Sequence, residues 1–146
     1  MVREARREDL PALLKLYLSL HETSVPEDSV HLRQVWEAIL RDENRHLLVY
    51  EKDGELVSSC DCVIIPNLTR GGKPYALIEN VVTRTDSRGK GFAGECLACA
   101  RKLAAAAGCY KVMLMTGSRQ ESTLRFYRKA GFDSGEKTAF VLRLDH

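Results

Sequence analysis

The sequence predicts an α/β protein with a mixed sheet, and three observations support this fold class. Segments typical of strands and helices follow one another in the order β-α-α-β-β-β-α-β-α-β. The chain of 146 residues has the length of one domain with one hydrophobic core. No repeat, low-complexity run or linker separates the segments. We therefore expect a single domain over residues 1–146.

The N-terminal part of the chain predicts one strand and two helices. The segment VREAR, at 2–6, is typical of a short strand. Asp9 is placed to cap a helix whose first turn holds Pro11, and apolar residues recur behind it at helical spacing. A second helix is predicted over 29–42, where apolar residues again recur at helical spacing.

The middle of the chain predicts three strands. The segment HLLVYEKDGELVSSCDCVII, at 46–65, is typical of a β-hairpin with its turn at Asp53-Gly54. A loop follows over 67–74, because glycine, proline and polar residues dominate there. The segment YALIENVVT, at 75–83, then predicts the third strand of this part.

The last part of the chain predicts two helices and two strands. They are a helix over 91–107, a strand over 110–116, a helix over 118–130 and a strand over 137–144. Gly108 and Gly131 follow the two helices directly. Glycine is the residue that most often takes the left-handed conformation that ends a helix. We therefore expect both helices to end at these glycines.

Charge and hydropathy exclude two classes of protein. The chain has 22 basic and 20 acidic residues, and the resulting net charge of +2 is too mild for a nucleic-acid binder. No apolar run approaches the roughly 20 residues that cross a bilayer. The opening MVREARREDL lacks the apolar core of a signal peptide. We therefore expect a cytoplasmic protein with neither a nucleic acid nor a membrane as partner.

The cysteines predict core thiols rather than a metal site. Their number, five, is odd, and without a secretion signal they should be reduced. A zinc site would need the pairs Cys60-x-Cys62 and Cys96-x-x-Cys99 on tight turns, yet they fall in a predicted strand and helix. Together with Cys109 they are expected to be small core residues. We expect no metal, and the histidines fall in no ligand or triad spacing: His21, His31, His46 and His146.

The stretch SRGKGFAGECL, at 87–97, predicts an anion site because it joins a strand to a helix. The first amides of a helix have no intrahelical partner, and the helix dipole adds positive charge there. Glycines allow a close backbone approach, and Arg88 and Lys90 add full charges. These features suit a phosphate group. The alternative is a solvated loop in which a glycine begins the helix.

Two other phosphate-binding motifs fit less well. Gly89, Gly91 and Gly94 match the dinucleotide pattern G-x-G-x-x-G. A nicotinamide or flavin enzyme would also need an acidic residue at the end of the next strand and a second mononucleotide half, and neither is present. A P-loop would need serine or threonine after Lys73, where this chain has Pro74.

Two motifs together resemble the GNAT superfamily of acyl-CoA-dependent N-acetyltransferases. The family signature [Q/R]-x-x-G-x-[G/A] reads RGKGFA here, at 88–93, between a strand and a long helix. A second family signature, a helix with tyrosine followed by lysine, glycine and phenylalanine, reads LRFYRKAGF at 124–132. The resemblance implies a mostly antiparallel central sheet flanked by about four helices. It also implies acetyl-CoA as co-substrate.

The resemblance implies a set of cofactor-binding residues. The backbone of the signature loop would hold the pyrophosphate of coenzyme A through Arg88, Gly89, Lys90, Gly91, Phe92 and Ala93. The preceding strand would bend away from its neighbour, so that Val81 and Val82 pair with the pantetheine arm. Gln120 stands near a position where many members have asparagine, and it is a further candidate contact.

The implied chemistry assigns two catalytic residues. A free amine would attack the thioester while a backbone N–H at Val81 or Val82 stabilises the oxyanion. Tyr127 would protonate the departing thiolate, since a phenol and a thiol have similar pKa values; the alternative is a core tyrosine. Glu79 would be the general base, because Glu79 and Asn80 interrupt an otherwise apolar strand. The two side chains point to opposite faces of the sheet unless a bulge intervenes. The alternative role is that of a polar pair at an irregularity of the sheet.

The acceptor stays open at the level of sequence. IENVV and GCYKVMLMTG are closest to the glucosamine-6-phosphate N-acetyltransferase branch, although Asn80 stands where that branch usually has aspartate. Arg84 and the loop TRGGKP could bind a sugar phosphate, while small amines, amino acids and lysine side chains are alternatives. A noncatalytic acyl-CoA-binding regulatory module is the alternative function. The family resemblance also suggests a homodimer.

Overall fold

The computed structural model describes residues 1–145. His146 lies outside the described residues, and so does the expectation that it belongs to no metal site or triad. Over residues 1–145 the strands form one sheet in which spatial order equals chain order. The strands are β1 (Val2–Glu4), β2 (Arg45–Lys52), β3 (Glu55–Ile65), β4 (Tyr75–Thr83) and β5 (Val112–Leu114). The strands β1 to β4 pair antiparallel, and β4 pairs with β5 in parallel. The predicted mixed, mostly antiparallel sheet is confirmed.

Five helices accompany the sheet in the described residues. They are α1 (Leu10–Leu16), α2 (Val30–Arg41), α3 (Thr69–Gly72), α4 (Phe92–Ala106) and α5 (Glu121–Lys129). Four of them were predicted, and α3 is a four-residue turn inside the predicted loop, with left-handed backbone at Arg70 and Gly71. Short 3-10 turns lie at Arg7–Asp9, Tyr17–Ser19 and Thr85–Ser87. No helix in this part of the chain is long and apolar enough to cross a membrane.

The ends of the first two helices follow from side-chain hydrogen bonds. The Ser29 hydroxyl accepts the Leu32 N–H at 3.1 Å, which caps α2 at the predicted start of this helix. Asp9 stands at the start of α1 but does not cap it with its side chain. Its carboxylate instead accepts from the Arg6 N–H at 2.6 Å and from the Arg3 guanidinium at 2.7 Å. The carboxylate therefore links β1 to the 3-10 turn that precedes α1.

The β2–β3 hairpin turns where the sequence predicts. Asp53 and Gly54 both have positive φ, at 52° and 78°, and they link the paired residues Lys52 and Glu55. Two consecutive left-handed residues match the right-handed twist of the flanking strands. The turn therefore sets the register of the two long central strands.

The hydrophobic core lies on both faces of β2 and β3. On one face, side chains from α1 and α2 pack on the sheet around Leu13, Trp36, Leu47, Val49 and Leu56. The Trp36 indole N–H also donates to the Arg7 carbonyl at 3.0 Å, so its one polar atom is satisfied. The other face is covered by α4, whose buried side chains are Phe92, Cys96, Leu97, Ala100 and Ala104.

The cysteines are free thiols of this core region. Cys60, Cys62 and Cys96 are buried, while Cys99 and Cys109 are half-buried. Burial raises the pKa of Cys62 to about 11 and that of Cys96 to about 12, so both thiols are protonated at neutral pH. The predicted placement in the core is confirmed for the three buried cysteines, whereas Cys99 and Cys109 lie at its margin. Among residues 1–145, no group of three or more His, Cys, Asp or Glu side chains could hold a metal ion.

The described chain divides into two compact units, Met1–Leu114 and Met115–His146, and the predicted final strand falls in the second. This prediction was wrong: residues 137–144 form no strand, and Phe140 and Leu144 are 92% and 89% exposed. The segment has strong β propensity, but a strand also requires a partner to complete its hydrogen bonds. The predicted strand over 110–116 is correspondingly shorter, with Val112–Leu114 as its paired part.

Candidate active site

The loop before α4 has the backbone that an anion site requires. Gly89 and Gly91 both have positive φ, at 77° and 84°, and Gly91 is the N-cap of α4. A Cβ built on either glycine would meet no heavy atom within 4 Å. The left-handed conformation, rather than crowding, therefore requires glycine at both positions. No side chain caps α4, so its first amides remain available to a ligand.

The cations of this loop keep their charge. The Arg88 guanidinium donates to the Ser19 carbonyl at 2.9 Å and to the Thr83 carbonyl at 3.4 Å. Both acceptors are neutral, so they orient the guanidinium without cancelling its charge. Lys90 is exposed beside it. The loop therefore combines helix amides with two positive side chains, which is the arrangement the sequence predicts for a phosphate.

Phe92 and Ala93 belong to the first turn of α4 and could bind a ligand only through their backbone. The Phe92 ring is buried and lies 4.5 Å from the Tyr50 ring, centroid to centroid. The Lys52 ammonium stands 5.4 Å from the same centroid. This packing fixes the start of α4 on β2 and therefore holds the loop amides in place.

A β-bulge bends β4 beside the loop. In the β3–β4 ladder, Ser59 pairs with Val82 and Asp61 with Glu79, so one residue of β3 opposes two of β4. Asn80 takes the left-handed conformation, with φ of 52°. The sequence predicted opposite faces for Glu79 and Asn80 unless a bulge intervened, and such a bulge is present. It also moves Glu79 and Val82 onto the same face of the sheet, because directly paired residues share a face.

The outer edge of β4 opens at the bulge. β5 pairs with β4 only along Ala76–Ile78, so β4 has no β5 partner from Glu79 onward in the described residues. Val81 is half-buried and Val82 is buried, with its carbonyl accepting the Ser58 hydroxyl at 2.8 Å. Backbone groups at an open strand edge can pair with an extended ligand arm.

Glu79 lies opposite a buried ion pair that the sequence analysis missed. Asp61, its partner across the ladder, is buried and accepts two hydrogen bonds from the Arg45 Nε–H at 3.1 Å. The Tyr17 ring lies close by, and burial, followed by the Asp61 charge, raises its pKa to about 12. Glu79 itself is exposed. An aspartate inside the apolar run SSCDCVII was the available sequence signal for this pair.

The 3-10 turn Tyr17–Ser19 brings these features together within the first unit. Its Ser19 carbonyl binds Arg88 of the loop, while the Asp61 charge, opposite Glu79, adds to the effect of burial on the Tyr17 pKa. Arg84, by contrast, already forms ion pairs with Glu55 at 2.7 Å and Asp86 at 2.6 Å. Its charge is balanced, which weakens its candidacy for a sugar phosphate.

The second unit contains Tyr127 and Gln120. Tyr127 lies in α5, half-buried, with its ring centroid 5.0 Å from that of Phe126 and 6.3 Å from that of Phe132. Gln120 is the exposed N-cap of α5, so the helix begins three residues later than the predicted start at Ser118. Its carbonyl, not its side-chain amide, accepts the hydrogen bonds of the first turn. The amide therefore has no capping role.

Comparison with known sequences points to one family. The sequence model of the acetyltransferase (GNAT) family matches residues 10–132. A glucosamine 6-phosphate N-acetyltransferase from Trypanosoma brucei brucei is 34% identical over 96 residues, which are 66% of this chain and 61% of that protein. The aligned region thus spans less than two thirds of this curated relative.

Solved structures extend the likeness to the whole chain. A putative acetyltransferase from Agrobacterium tumefaciens is 37% identical with a TM-score of 0.91, covering 98% of this chain and 99% of that one. An acetyltransferase from Trypanosoma brucei is 31% identical with a TM-score of 0.82, covering 100% and 99%. The family resemblance carried by the two sequence motifs is confirmed, and the chain belongs to the acetyltransferase (GNAT) family.

Proposed function

We propose that this protein transfers the acetyl group of acetyl-CoA to a primary amine by direct attack in a ternary complex. The observation that carries the proposal is the loop at Gly89 and Gly91, whose left-handed backbone presents the uncapped start of α4 to an anion. Family membership supports the same activity. The acceptor is an amino-sugar phosphate, a small amine, an amino acid or a lysine side chain.

The cofactor is held in two places. The amides and cations of residues 88–93 bind the pyrophosphate of coenzyme A, with Arg88 positioned by the Ser19 carbonyl. The pantetheine arm pairs with the open edge of β4 at Val81 and Val82. Gln120 is retained as a further candidate contact.

The chemistry removes two protons from the substrate ammonium, gives one to the sulfur and stabilises one charge. Glu79 takes the first proton, directly or through water, and leaves the free amine that attacks. As the N–C bond forms, a backbone N–H at Val81 or Val82 stabilises the oxyanion. The C–S bond then breaks, Tyr127 gives its phenolic proton to the thiolate, and the second proton of the nitrogen passes through water to restore the phenol. The assignment of Tyr127 rests on its place in the LRFYRKAGF motif.

Two measurements separate this proposal from a noncatalytic acyl-CoA-binding module. The first is thermal unfolding with acetyl-CoA, with NAD, and with neither. A ligand at about 100 times its dissociation constant adds about 2.7 kcal/mol to the free energy of unfolding. An unchanged melting temperature with millimolar acetyl-CoA would refute acetyl-CoA as the co-substrate. The second is thiol release over a panel of amines that includes glucosamine 6-phosphate, the substrate named for the curated relative. Stabilisation without turnover on any amine would favour the binding module.

A further inference from the structure

A cavity beside the 3-10 turn Tyr17–Ser19 is not used by the chemistry described so far. Its volume is about 240 Å³, and its lining consists of Leu14, Tyr17, Glu22, Ser24 and Pro26. Ligand pockets usually measure about 300–1,000 Å³. The cavity therefore suits a small molecule, or one end of a longer one.

The cavity borders the turn that contacts the proposed cofactor loop. Tyr17 of this turn lies in its wall, and the Asp61 charge adds to the effect of burial on the Tyr17 pKa, while Asp61 pairs with Glu79 across the β3–β4 ladder. Two residues further on, Ser19 binds Arg88 of the anion loop through its carbonyl. A molecule in the cavity would thus lie next to the turn that connects the proposed base with the proposed cofactor site.

The lining carries one sign of charge. Glu22 is its only carboxylate, and burial raises the pKa of the Tyr17 phenol to about 12, so that this hydroxyl stays protonated at neutral pH. Leu14 and Pro26 provide apolar surface, and the Tyr17 and Ser24 hydroxyls can donate or accept hydrogen bonds. No lysine or arginine lines the cavity. A phosphate would therefore find a carboxylate and no cation, whereas an ammonium group would find a partner.

We propose that this cavity is the acceptor site and that Glu22 selects an amine carrying a second positive charge over one carrying a phosphate. The inference rests on the proposed acetyl transfer. One amine is acetylated while a second ammonium group pairs with the Glu22 carboxylate. The carbon chain between them covers Leu14 and Pro26. Since 56% of the Glu22 side chain is exposed, water weakens the pair and its effect on affinity is moderate.

His21 is the other titratable group beside Glu22. Its Nδ1 lies 3.9 Å from a Glu22 carboxylate oxygen, and 67% of its side chain is exposed. The second ammonium group of the substrate would therefore pair with a carboxylate that already has this ring beside it.

The test compares two probes of equal length, 1,4-diaminobutane and 4-aminobutan-1-ol, which differ in one charge. Each is titrated calorimetrically into the protein saturated with CoA, a complex that cannot react. We expect the diamine to bind about fivefold more tightly, and Glu22→Gln to abolish this preference. Glu27→Gln is the matched control, because Glu27 is an exposed carboxylate of the same loop outside the lining. Glucosamine should likewise bind more tightly than glucosamine 6-phosphate.

The outcomes separate this inference from the proposed function. Equal binding of the two probes, a preference that survives Glu22→Gln, or tighter binding of glucosamine 6-phosphate would each overturn the inference. Failure of the diamine to bind would overturn it as well. Diamine binding that depends on Glu22, with no thiol release on any amine of the panel, would refute acetyl transfer and leave the binding site intact. Thiol release with other amines but not with the diamine would overturn the cavity as the acceptor site. Unchanged unfolding curves for both variants show that the fold is preserved.

Discussion

The two compact units of the chain are stabilised in different ways. The first, Met1–Leu114, contains all five strands and every buried side chain of residues 1–145. The second, Met115–His146, contains α5 and, as far as residue 145, half-buried and exposed residues only. Long-range pairing therefore specifies the first unit, while local hydrogen bonds and neighbouring aromatic rings specify the described part of the second.

The proposed roles divide along the same line. The anion loop, the bulge of β4, Glu79 and the Glu22 cavity belong to the first unit, and Tyr127 belongs to the second. If the roles are right, substitutions in the first unit change binding or stability, whereas Tyr127→Phe changes turnover. The experiments below test this separation, from the largest expected effect to the smallest.

Tyr127→Phe should cause the largest loss, and it should appear in kcat. Phenylalanine keeps the ring that packs on Phe126 and Phe132 but removes the proton donor. A general acid contributes about 10²–10⁴-fold. Steady-state kinetics should show that drop in kcat, and calorimetry should show near-normal CoA affinity. Tyr75→Phe, which removes a phenol from the first unit, is the control.

Two outcomes would change this assignment. Wild-type kcat in a folded, CoA-binding Tyr127→Phe protein would show that Tyr127 is not the acid. If amine attack limits the rate, the Tyr127→Phe effect will be smaller than the effect of Glu79→Gln with the same amine.

Replacing a leucine by alanine should lower the free energy of unfolding much more in the first unit than in the second. Leu13 is 1% exposed in the core, and Leu142 is 85% exposed in the segment 137–144. Leu13→Ala should cost about 2–5 kcal/mol of unfolding free energy, whereas Leu142→Ala should change it by less than about 0.5 kcal/mol. Urea denaturation measures both. A cost for Leu142→Ala comparable to that of Leu13→Ala would mean that the segment is covered in solution, as a homodimer could do.

Gly91→Asp should weaken CoA binding more than it weakens folding. Any side chain at φ of 84° is strained, and a carboxylate there would also repel phosphate. We expect at least about a tenfold loss of CoA affinity by calorimetry. Gly54→Asp carries the same kind of strain at φ of 78° in the hairpin turn, far along the chain from the loop. Equal CoA affinities in the two folded variants would remove the loop from the cofactor site.

Acid should destabilise the first unit through Asp9. The Arg3 guanidinium, helped by the Arg6 amide, lowers the pKa of this buried carboxyl. A carboxylate with a lowered folded-state pKa stabilises the fold above its unfolded pKa of about 3.9 and loses that contribution as pH falls below it. Asp9→Asn should therefore reduce stability by about 1–3 kcal/mol at pH 7 and flatten its decline in acid. Asp28→Asn, which breaks an exposed pair with Arg33, should cost less than about 1 kcal/mol.

Elements with a local or repeating signal were predicted well from the sequence. The strand Tyr75–Thr83 has the predicted bounds, and α4 begins and ends beside the left-handed Gly91 and Gly108. The hairpin turn at Asp53-Gly54 follows the same logic, since a positive φ favours particular residue types. The anion loop was predicted for the same reason, because its glycines and cations are adjacent in the chain.

Features that depend on distant partners were missed. The Arg45–Asp61 pair and the Ser19–Arg88 contact join residues from different elements, and no periodicity in the sequence indicates them. The segment 137–144 shows the opposite error, because its strong β propensity predicted a strand for which the described chain supplies no partner. Asp9 was assigned to the helix that follows it, yet its carboxylate binds the strand that precedes it.

The thiols between β3 and α4 have a consequence for how motion in this protein can be measured. Cys60, Cys62 and Cys96 are each 0% exposed, so an alkylating reagent reaches them only when α4 separates from the sheet. Their raised pKa values keep the unreactive thiol form dominant at neutral pH. The rate at which Cys96 is labelled in the native protein therefore reports how often the helix that begins at the anion loop detaches. A ligand bound at that loop should slow the labelling.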